Sequence, residues 1–224
     1  GGHDPLYAPQ SKEDSDIFNR FLLAGYEFVQ TWSGFVYHMT CRGSRFADGA
    51  KRNPNGEVFM KNRETDEWLA QNQRSTRNFI RKWGHFVKHD EYLKPIVPPK
   101  YDIGFVVKNC SHSTLYELEP WCSTIYTDWG YKAYIETEQE NTMFDLNDRV
   151  KSRLEDTPNN DIIVEFDARE FTPEQFNYLA NLSEILASDE GIEEDSVGEF
   201  ELGIFKIKIN SARTYEEKLI ICKH

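Results

Sequence analysis

The C-terminal half of the chain begins with an apolar run, Ile103-Gly104-Phe105-Val106-Val107, which is typical of a buried strand. A later run, Phe205-Lys206-Ile207-Lys208-Ile209, alternates apolar and lysine residues and predicts another strand. The other elements predicted here are strands at residues 131–135 and 162–166, a helix at 114–124, a helix from Thr172-Pro173 through Leu186, and a polar insertion at 136–160 with a short helix at 145–154. The order βαββαβ predicts a ferredoxin-like α+β domain over residues 101–224.

The N-terminal half is predicted to contain two helices and two short strands. Ser11 is a favourable N-cap for a helix at residues 12–24, which Gly25 can end. The further elements are strands at 26–32 and 35–40, a basic loop at 41–56, and a helix at 64–86 in which Gly84 marks a bend. Three prolines within residues 94–100 predict a stiff linker. We therefore predict two units, residues 1–94 and 101–224, joined by residues 95–100.

The two predicted units differ in charge. The 224-residue chain has a net charge of -12. Residues 1–100 contain 15 basic and 12 acidic side chains, whereas residues 101–224 contain 11 basic and 26 acidic ones. An acidic unit repels nucleic acid, so we expect no nucleic-acid partner. The alternative, that the acidic surface only keeps the protein soluble, stays open.

Hydropathy and cysteine content bear on the compartment. The mean hydropathy is -0.67, and the sequence contains no run of about 18 apolar residues, so no membrane-spanning helix is predicted. The four cysteines form neither a C-x-x-C pair nor a zinc-ligand spacing, which favours a reduced compartment. Residues 1–5 lack the basic and apolar regions of a secretion signal. We expect a cytoplasmic protein.

Three groups of residues near the N-terminus can carry chemistry. The run Glu13-Asp14-Ser15-Asp16 stands at a helix start, where a carboxylate stays ionised and can accept a proton from a sugar hydroxyl. Helix capping alone would also explain it. His38 can bind Mn²⁺ or Mg²⁺ beside a diphosphate, or can simply pack on its strand. Arg42 and Arg45 can contact phosphate oxygens, or can belong to an ordinary surface loop.

The order and spacing of short motifs add a resemblance. The motifs are Gly1-Gly2-His3-Asp4-Pro5, the run from Glu13 to Arg20, Gly25-Tyr26, Val36-Tyr37-His38, and the run from Phe79 to Gly84. Together they resemble the second half of a family-two inverting glycosyltransferase of the GT-A fold. The resemblance covers about residues 1–90, or two-fifths of the chain. We expect residues 1–94 to be the C-terminal part of such a domain.

The resemblance implies roles for eight side chains. Asp14 would be the base that deprotonates the acceptor hydroxyl for attack on the anomeric carbon with inversion. The other roles are these: Glu13 and Asp16 orient the acceptor or the local loop, His3 and Asp4 line the acceptor site, His38 binds Mn²⁺ or Mg²⁺, and Arg45 and Arg42 face the leaving diphosphate. The partners it implies are a nucleotide-sugar and a glycan acceptor.

The chain departs from the family because the nucleotide-binding half, with its metal-binding D-x-D, should precede Gly1. We therefore expect this chain to be a fragment that transfers no sugar on its own. A truncated domain exposes the face that would pack on its missing half, so we also expect a homodimer through that face. The alternative is a non-catalytic binding or assembly protein that uses the acidic unit at residues 101–224.

Overall fold

The computed structural model describes residues 2–34, 66–128, 130–188 and 197–222. The N-terminal helices are α1 (Glu13–Leu23) and α2 (Asp66–Trp83). The elements that follow are β1 (Ile103–Lys108), α3 (His112–Leu118), β2 (Thr124–Thr127), α4 (Tyr131–Glu138), α5 (Leu146–Arg149), β3 (Val150–Ser152), β4 (Ile162–Asp167), α6 (Pro173–Ala180), α7 (Leu182–Ala187), β5 (Gly198–Leu202) and β6 (Phe205–Ile209). No helix in the described part of the chain is long and apolar enough to cross a membrane.

The strands form one mixed six-stranded sheet with the order β3-β2-β1-β4-β6-β5. The first four strands of this order run parallel, with Phe105 of β1 opposite both Ile125 of β2 and Val164 of β4. Strands β6 and β5 add an antiparallel hairpin at one edge. Residues 103–107 of β1 are all buried, as expected for a central parallel strand covered on both faces. In β6 the lysines are exposed, which agrees with its alternating sequence.

This sheet confirms a mixed α/β domain but corrects the predicted topology. The strands expected at 103–107, 162–166 and 205–209 are present as β1, β4 and β6. A ferredoxin-like sheet has antiparallel neighbours throughout, whereas β1 and β4 are parallel, so the ferredoxin-like prediction is wrong. Residues 131–135, expected as a strand, begin helix α4. Tyr131, Tyr134 and Ile135 follow a helical i, i+3, i+4 spacing that their aromatic and β-branched character concealed.

Two helix predictions in the N-terminal half agree with the structure in place but not at their ends. Helix α1 lacks the expected side-chain cap: Lys12 takes the N-cap position with a φ of 76°, and Ser11 precedes it with a φ of 79°. Helix α2 ends at Trp83, and Gly84 follows with a φ of 81°, so Gly84 closes the helix instead of bending it. Residues 26–31 form no strand. The predicted strand 35–40 and the loop 41–56 lie outside the described residues.

Helix α2 contacts elements on both sides of the proline-rich run at 94–100. Its Ile80 belongs to the main core, which is built on the sheet. Its Phe79 and Trp83 pack instead with Leu6 and Tyr7 from the N-terminus, in a second core that also includes Leu219. This one helix therefore joins the N-terminal segment to the sheet and to the C-terminal segment.

Candidate functional site

The first site is a buried ionic cluster between the N-terminal loop, α1 and the end of α2. Lys82 Nζ lies 2.8 Å from Asp4 Oδ2 and 2.7 Å from Asp16 Oδ1. Arg20 Nε lies 2.8 Å from the other oxygen of Asp16. Two carboxylates thus face two cations in a region closed to solvent, since Asp16 is 0% exposed and Asp4 is 2% exposed. We call these four residues the anchor cluster.

Two aromatic side chains complete the surroundings of Asp16. Trp83 Nε1 donates a hydrogen bond of 3.0 Å to Asp16 Oδ1, and the Tyr7 hydroxyl donates one of 3.2 Å to the same oxygen. Burial, together with Asp16 and Asp4, raises the pKa of Tyr7 well above its ordinary value. Asp16 is therefore satisfied by donors from four residues, so it holds this part of the fold together and has no exposed oxygen for a substrate.

The anchor cluster also fixes the loop before α1. Asp4 Oδ1 accepts a hydrogen bond of 3.0 Å from the Leu6 amide and so begins the 3₁₀ turn Pro5–Tyr7. Arg20 Nη2 donates a bond of 2.5 Å to the Gly2 carbonyl. His3 lies between these two fixed residues and is exposed. The structure therefore holds the backbone on both sides of His3 while its imidazole faces solvent.

The three acidic residues of the first turn of α1 differ in environment. Asp14 is exposed, whereas Asp16 is buried. Two residues along an α-helix correspond to a rotation of about 200°, so these two side chains leave opposite sides of the helix. Glu13 is partly buried, and its Oε2 accepts no hydrogen bond from a described residue. The structure thus groups Asp4 with Asp16 and leaves Asp14 on the solvent side.

A second buried ionic cluster, which the sequence analysis did not predict, lies between α2 and the sheet. Glu119 is 0% exposed. Its carboxylate forms ion pairs with Arg81 Nη2 at 2.7 Å and Arg149 Nε at 2.5 Å, and it accepts a hydrogen bond of 2.9 Å from the Tyr134 hydroxyl. Burial alone would raise the pKa of Glu119, but Arg149 and Arg81 outweigh it and lower the pKa to about 2. The sequence feature that could have indicated this cluster is the spacing of Arg77 and Arg81, which lie one turn apart on the same face of α2.

The remaining predicted site residues, His38, Arg42 and Arg45, lie outside the described residues. Within the described ranges, no three His, Cys, Asp or Glu side chains come together as a metal site. The binding of Mn²⁺ or Mg²⁺ by His38 therefore remains a prediction from the sequence. Comparison with family models, with curated proteins and with solved structures finds no match for this chain.

Proposed function

We propose that this chain is the acceptor-side part of an inverting glycosyltransferase, with Asp14 as the base that deprotonates the acceptor hydroxyl. The observation that supports this best is the contrast between Asp14 and Asp16 on α1. Asp16 is buried in the anchor cluster, whereas Asp14 is exposed in the first turn of the same helix. A base has to reach the proton that it removes, and Asp14 is the carboxylate of the pair that a substrate can approach.

The position of Asp14 also suits the chemistry of a base. Asp14 lies in the first turn of α1, where its exposed carboxylate can come within hydrogen-bond distance of a substrate hydroxyl. The helix itself cannot shift freely, because Lys82 of α2 holds Asp16 of α1 at 2.7 Å. A fixed helix keeps a catalytic group at one distance from its substrate, which is where much of the rate enhancement of enzymes originates.

The N-terminal loop supplies the second part of the proposed acceptor site. Its anchored backbone presents the exposed His3 next to the buried Asp4. In this proposal His3 contacts the acceptor, and Asp4 acts by positioning the loop through Lys82. Asp16 likewise positions the start of α1 through Lys82. The role proposed for Glu13, to orient the acceptor or the local loop, comes from the resemblance alone.

The donor side of the reaction is proposed from the resemblance alone. His38 would hold Mn²⁺ or Mg²⁺, and Arg45 and Arg42 would contact the diphosphate of the nucleotide-sugar. A bound divalent ion there neutralises charge on the leaving group. The resemblance assigns nucleotide binding to a half of the domain that the matched residues do not include, and we propose that sugar transfer requires that half.

Exposed apolar side chains support the idea of a missing half or of a second copy. Phe18 and Phe21 on α1 are 48% and 41% exposed, and Val29 and Trp32 in the following segment are 80% and 93% exposed. Single exposed apolar residues are ordinary, but several close together in one part of the chain suit an interface. We therefore propose that this face is covered in the complete protein or in a homodimer.

The test of the proposed function restores the expected N-terminal half. The protein encoded together with any upstream reading frame is assayed for release of nucleoside diphosphate from a panel of nucleotide-sugars. Asp14→Asn should lower kcat by at least about a hundredfold, the effect of a general base. Asp66→Asn is the matched control, because Asp66 is an exposed carboxylate in the first turn of α2. Turnover by this chain alone, or full activity of Asp14→Asn, would contradict the proposal.

The alternative function, a binding or assembly protein, is supported by the edge of the sheet. Strand β5 pairs only with β6 among the described residues, and its Gly198, Glu199, Phe200 and Glu201 are exposed. An exposed edge strand can pair with an extended segment of a partner. If the extended protein shows no turnover and Phe200→Lys abolishes capture of a partner, the binding function is the better one.

A further inference from the structure

A cavity of about 540 Å³ lies where the end of α2, the start of β1 and the C-terminal segment meet. Its aromatic walls are Tyr101, Phe144 and Tyr215. It lies at the amino ends of β1 and β2, since Asp102 and Ser123 line it just before those strands. Its volume is within the range of small-molecule sites, about 300–1,000 Å³. Of the residues that the proposed sugar transfer uses, Lys82 alone, as a positioning residue, lines it.

The wall of this cavity is basic in a protein that is acidic overall. Five basic residues and one acidic residue line it: Arg81, Lys82, Lys100, Arg149, Lys218 and Asp102. Arg81 and Arg149 pair with Glu119 behind the wall, Arg81 pairs also with Glu138, and Lys82 pairs with Asp4 and Asp16 of the anchor cluster. Lys100 and Lys218 differ, because neither has a carboxylate of the described chain within 4.0 Å. The cavity is thus lined by two lysines, the partly buried Lys100 and the exposed Lys218, that the described fold leaves without an ion-pair partner.

Lys100 is the more informative of these two lysines. Among the described residues its Nζ donates only a long bond of 3.4 Å, to the Arg81 carbonyl, and a Cβ on Gly84 would lie 3.1 Å from it. Burial and the neighbouring Arg149 lower the pKa of Lys100 to about 8, so its charge is retained at neutral pH at a cost in stability. Buried charges in proteins are ordinarily paired, so a lysine in a cavity without a carboxylate partner is suited to pair with an anionic ligand.

The acidic groups around the cavity are engaged elsewhere. Asp102 Oδ1 accepts a hydrogen bond of 2.7 Å from Asn160 Nδ2. Glu216 accepts a bond of 3.3 Å from the backbone amide of Lys100, and not from its ammonium group. Asp161 accepts from the hydroxyl of Tyr215 at 2.6 Å. Lys218 itself lies over the ring of Tyr215, 4.6 Å from its centre, where cation and ring attract each other.

We propose that this cavity binds a small phosphate ester or diphosphate, with Lys100 and Lys218 as the partners of the phosphate charge. The aromatic walls would contact the organic part of the ligand. The proposal is independent of the sugar-transfer function, because it rests on residues to which that function gives no role. It would hold equally if the chain were a binding protein.

Isothermal titration with inorganic phosphate and with pyrophosphate, at constant ionic strength in chloride buffer, tests this proposal. Both anions should bind, with pyrophosphate the tighter, and Lys100→Met and Lys218→Met should each weaken binding by at least about tenfold, as expected for loss of a charge-assisted hydrogen bond. Lys208→Met is the matched control, because Lys208 is exposed on β6 and does not line the cavity. No binding up to about 10 mM, a free energy of only about -3 kcal/mol, would overturn the proposal.

A second readout separates a ligand-binding lysine from a merely structural one. Without ligand, Lys100→Met should melt at a higher temperature than the wild type, since it removes a partly buried charge next to Arg149 and keeps the aliphatic stem. A lysine that stabilised the fold would give a lower melting temperature. Equal phosphate affinity in Lys100→Met and the wild type would likewise overturn the proposal, because the anion would then bind elsewhere.

Discussion

Replacement of Glu119 by glutamine should destabilise the protein strongly. In the native cluster three guanidinium groups, those of Arg77, Arg81 and Arg149, face two carboxylates, those of Glu119 and Glu138. Glu119→Gln leaves three cations against one carboxylate in a region where Arg81 and Glu119 are 0% exposed in their side chains. Breaking a buried ion pair by removing one partner costs about 3–5 kcal/mol. For a chain of this size that is a fall in melting temperature of about 6–20 °C, at about 2–4 °C per kcal/mol.

Urea unfolding followed by circular dichroism gives the free energy, and calorimetry gives the melting temperature. Glu165→Gln is the matched control, since Glu165 pairs with Lys108 at 2.5 Å but both side chains are more than 40% exposed. An exposed pair contributes about 0–1 kcal/mol, so the control should unfold nearly like the wild type. If Glu119→Gln were no less stable than Glu165→Gln, the ionic cluster would not hold α2 against the sheet, and the reasoning would be refuted.

The same carboxylate has a pH signature. The pKa of Glu119 is about 2 in the folded state, below its ordinary value of 4.5. Its contribution to stability is therefore complete above pH 4.5 and is lost as the pH falls through about 2. In Glu119→Gln the acid-induced loss of stability within this window should be smaller than in the wild type.

Three further predictions concern single side chains. Burial lowers the pKa of His85 to about 4, so NMR titration should find its imidazole neutral down to about pH 5. The stability of the protein should fall as the pH drops from 6.5 through 4, because the unfolded chain binds the proton more readily. An ordinary titration of His85 near pH 6.5 would contradict this. Asp16→Asn should cost about 2–4 kcal/mol in urea unfolding because Lys82 and Arg20 lose a buried partner, whereas Asp14→Asn should stay within about 0.5 kcal/mol. Equal effects of these two variants would contradict the division of roles on α1. Gly84→Ala should cost about 1–2 kcal/mol because of the φ of 81°, and an unchanged melting temperature would refute that.

Local pattern predicted the elements whose period is long or clear. Helices α1 and α2 and strand β6 follow their period over five or more residues, and β1 is an unbroken apolar run; each is present where the sequence predicted it. Strands β2 and β3 are four and three residues long, too short for a period to be recognised. The strand prediction at 131–135 failed because residue type was given more weight than spacing.

The direction of most strands could not be read from local pattern. The unbroken apolar run of β1 is typical of a parallel strand covered on both faces, but the predicted number and order of elements did not require a parallel sheet. Helix α4 was predicted as a strand, and strand β2 was not predicted. The predicted order was therefore βαββαβ, although the sheet is largely parallel. The pairing of Phe105 with both Ile125 and Val164 distinguishes the observed sheet from the predicted one.

The site residues show the same limit for charged side chains. The sequence singled out Asp14 and Asp16 together, because both stand at a helix start, but it could not tell which would be buried. That depends on Lys82, which is 66 positions away along the chain and lies 2.7 Å from Asp16. A lysine on a helix is expected in solvent, so nothing local marked Lys82 as the partner.

Helix α2 explains why so many charges are buried in this protein. Its basic residues point in two directions, Lys82 toward Asp4 and Asp16, and Arg77 and Arg81 toward Glu119. An apolar helix of this length could slide or rotate between the N-terminal segment and the sheet at little cost, because hydrophobic contact has no direction. Ion pairs with fixed distances permit one arrangement only. The buried charges therefore fix the position of α1, and with it Asp14, relative to the sheet, at a stability cost that an apolar interface would not have.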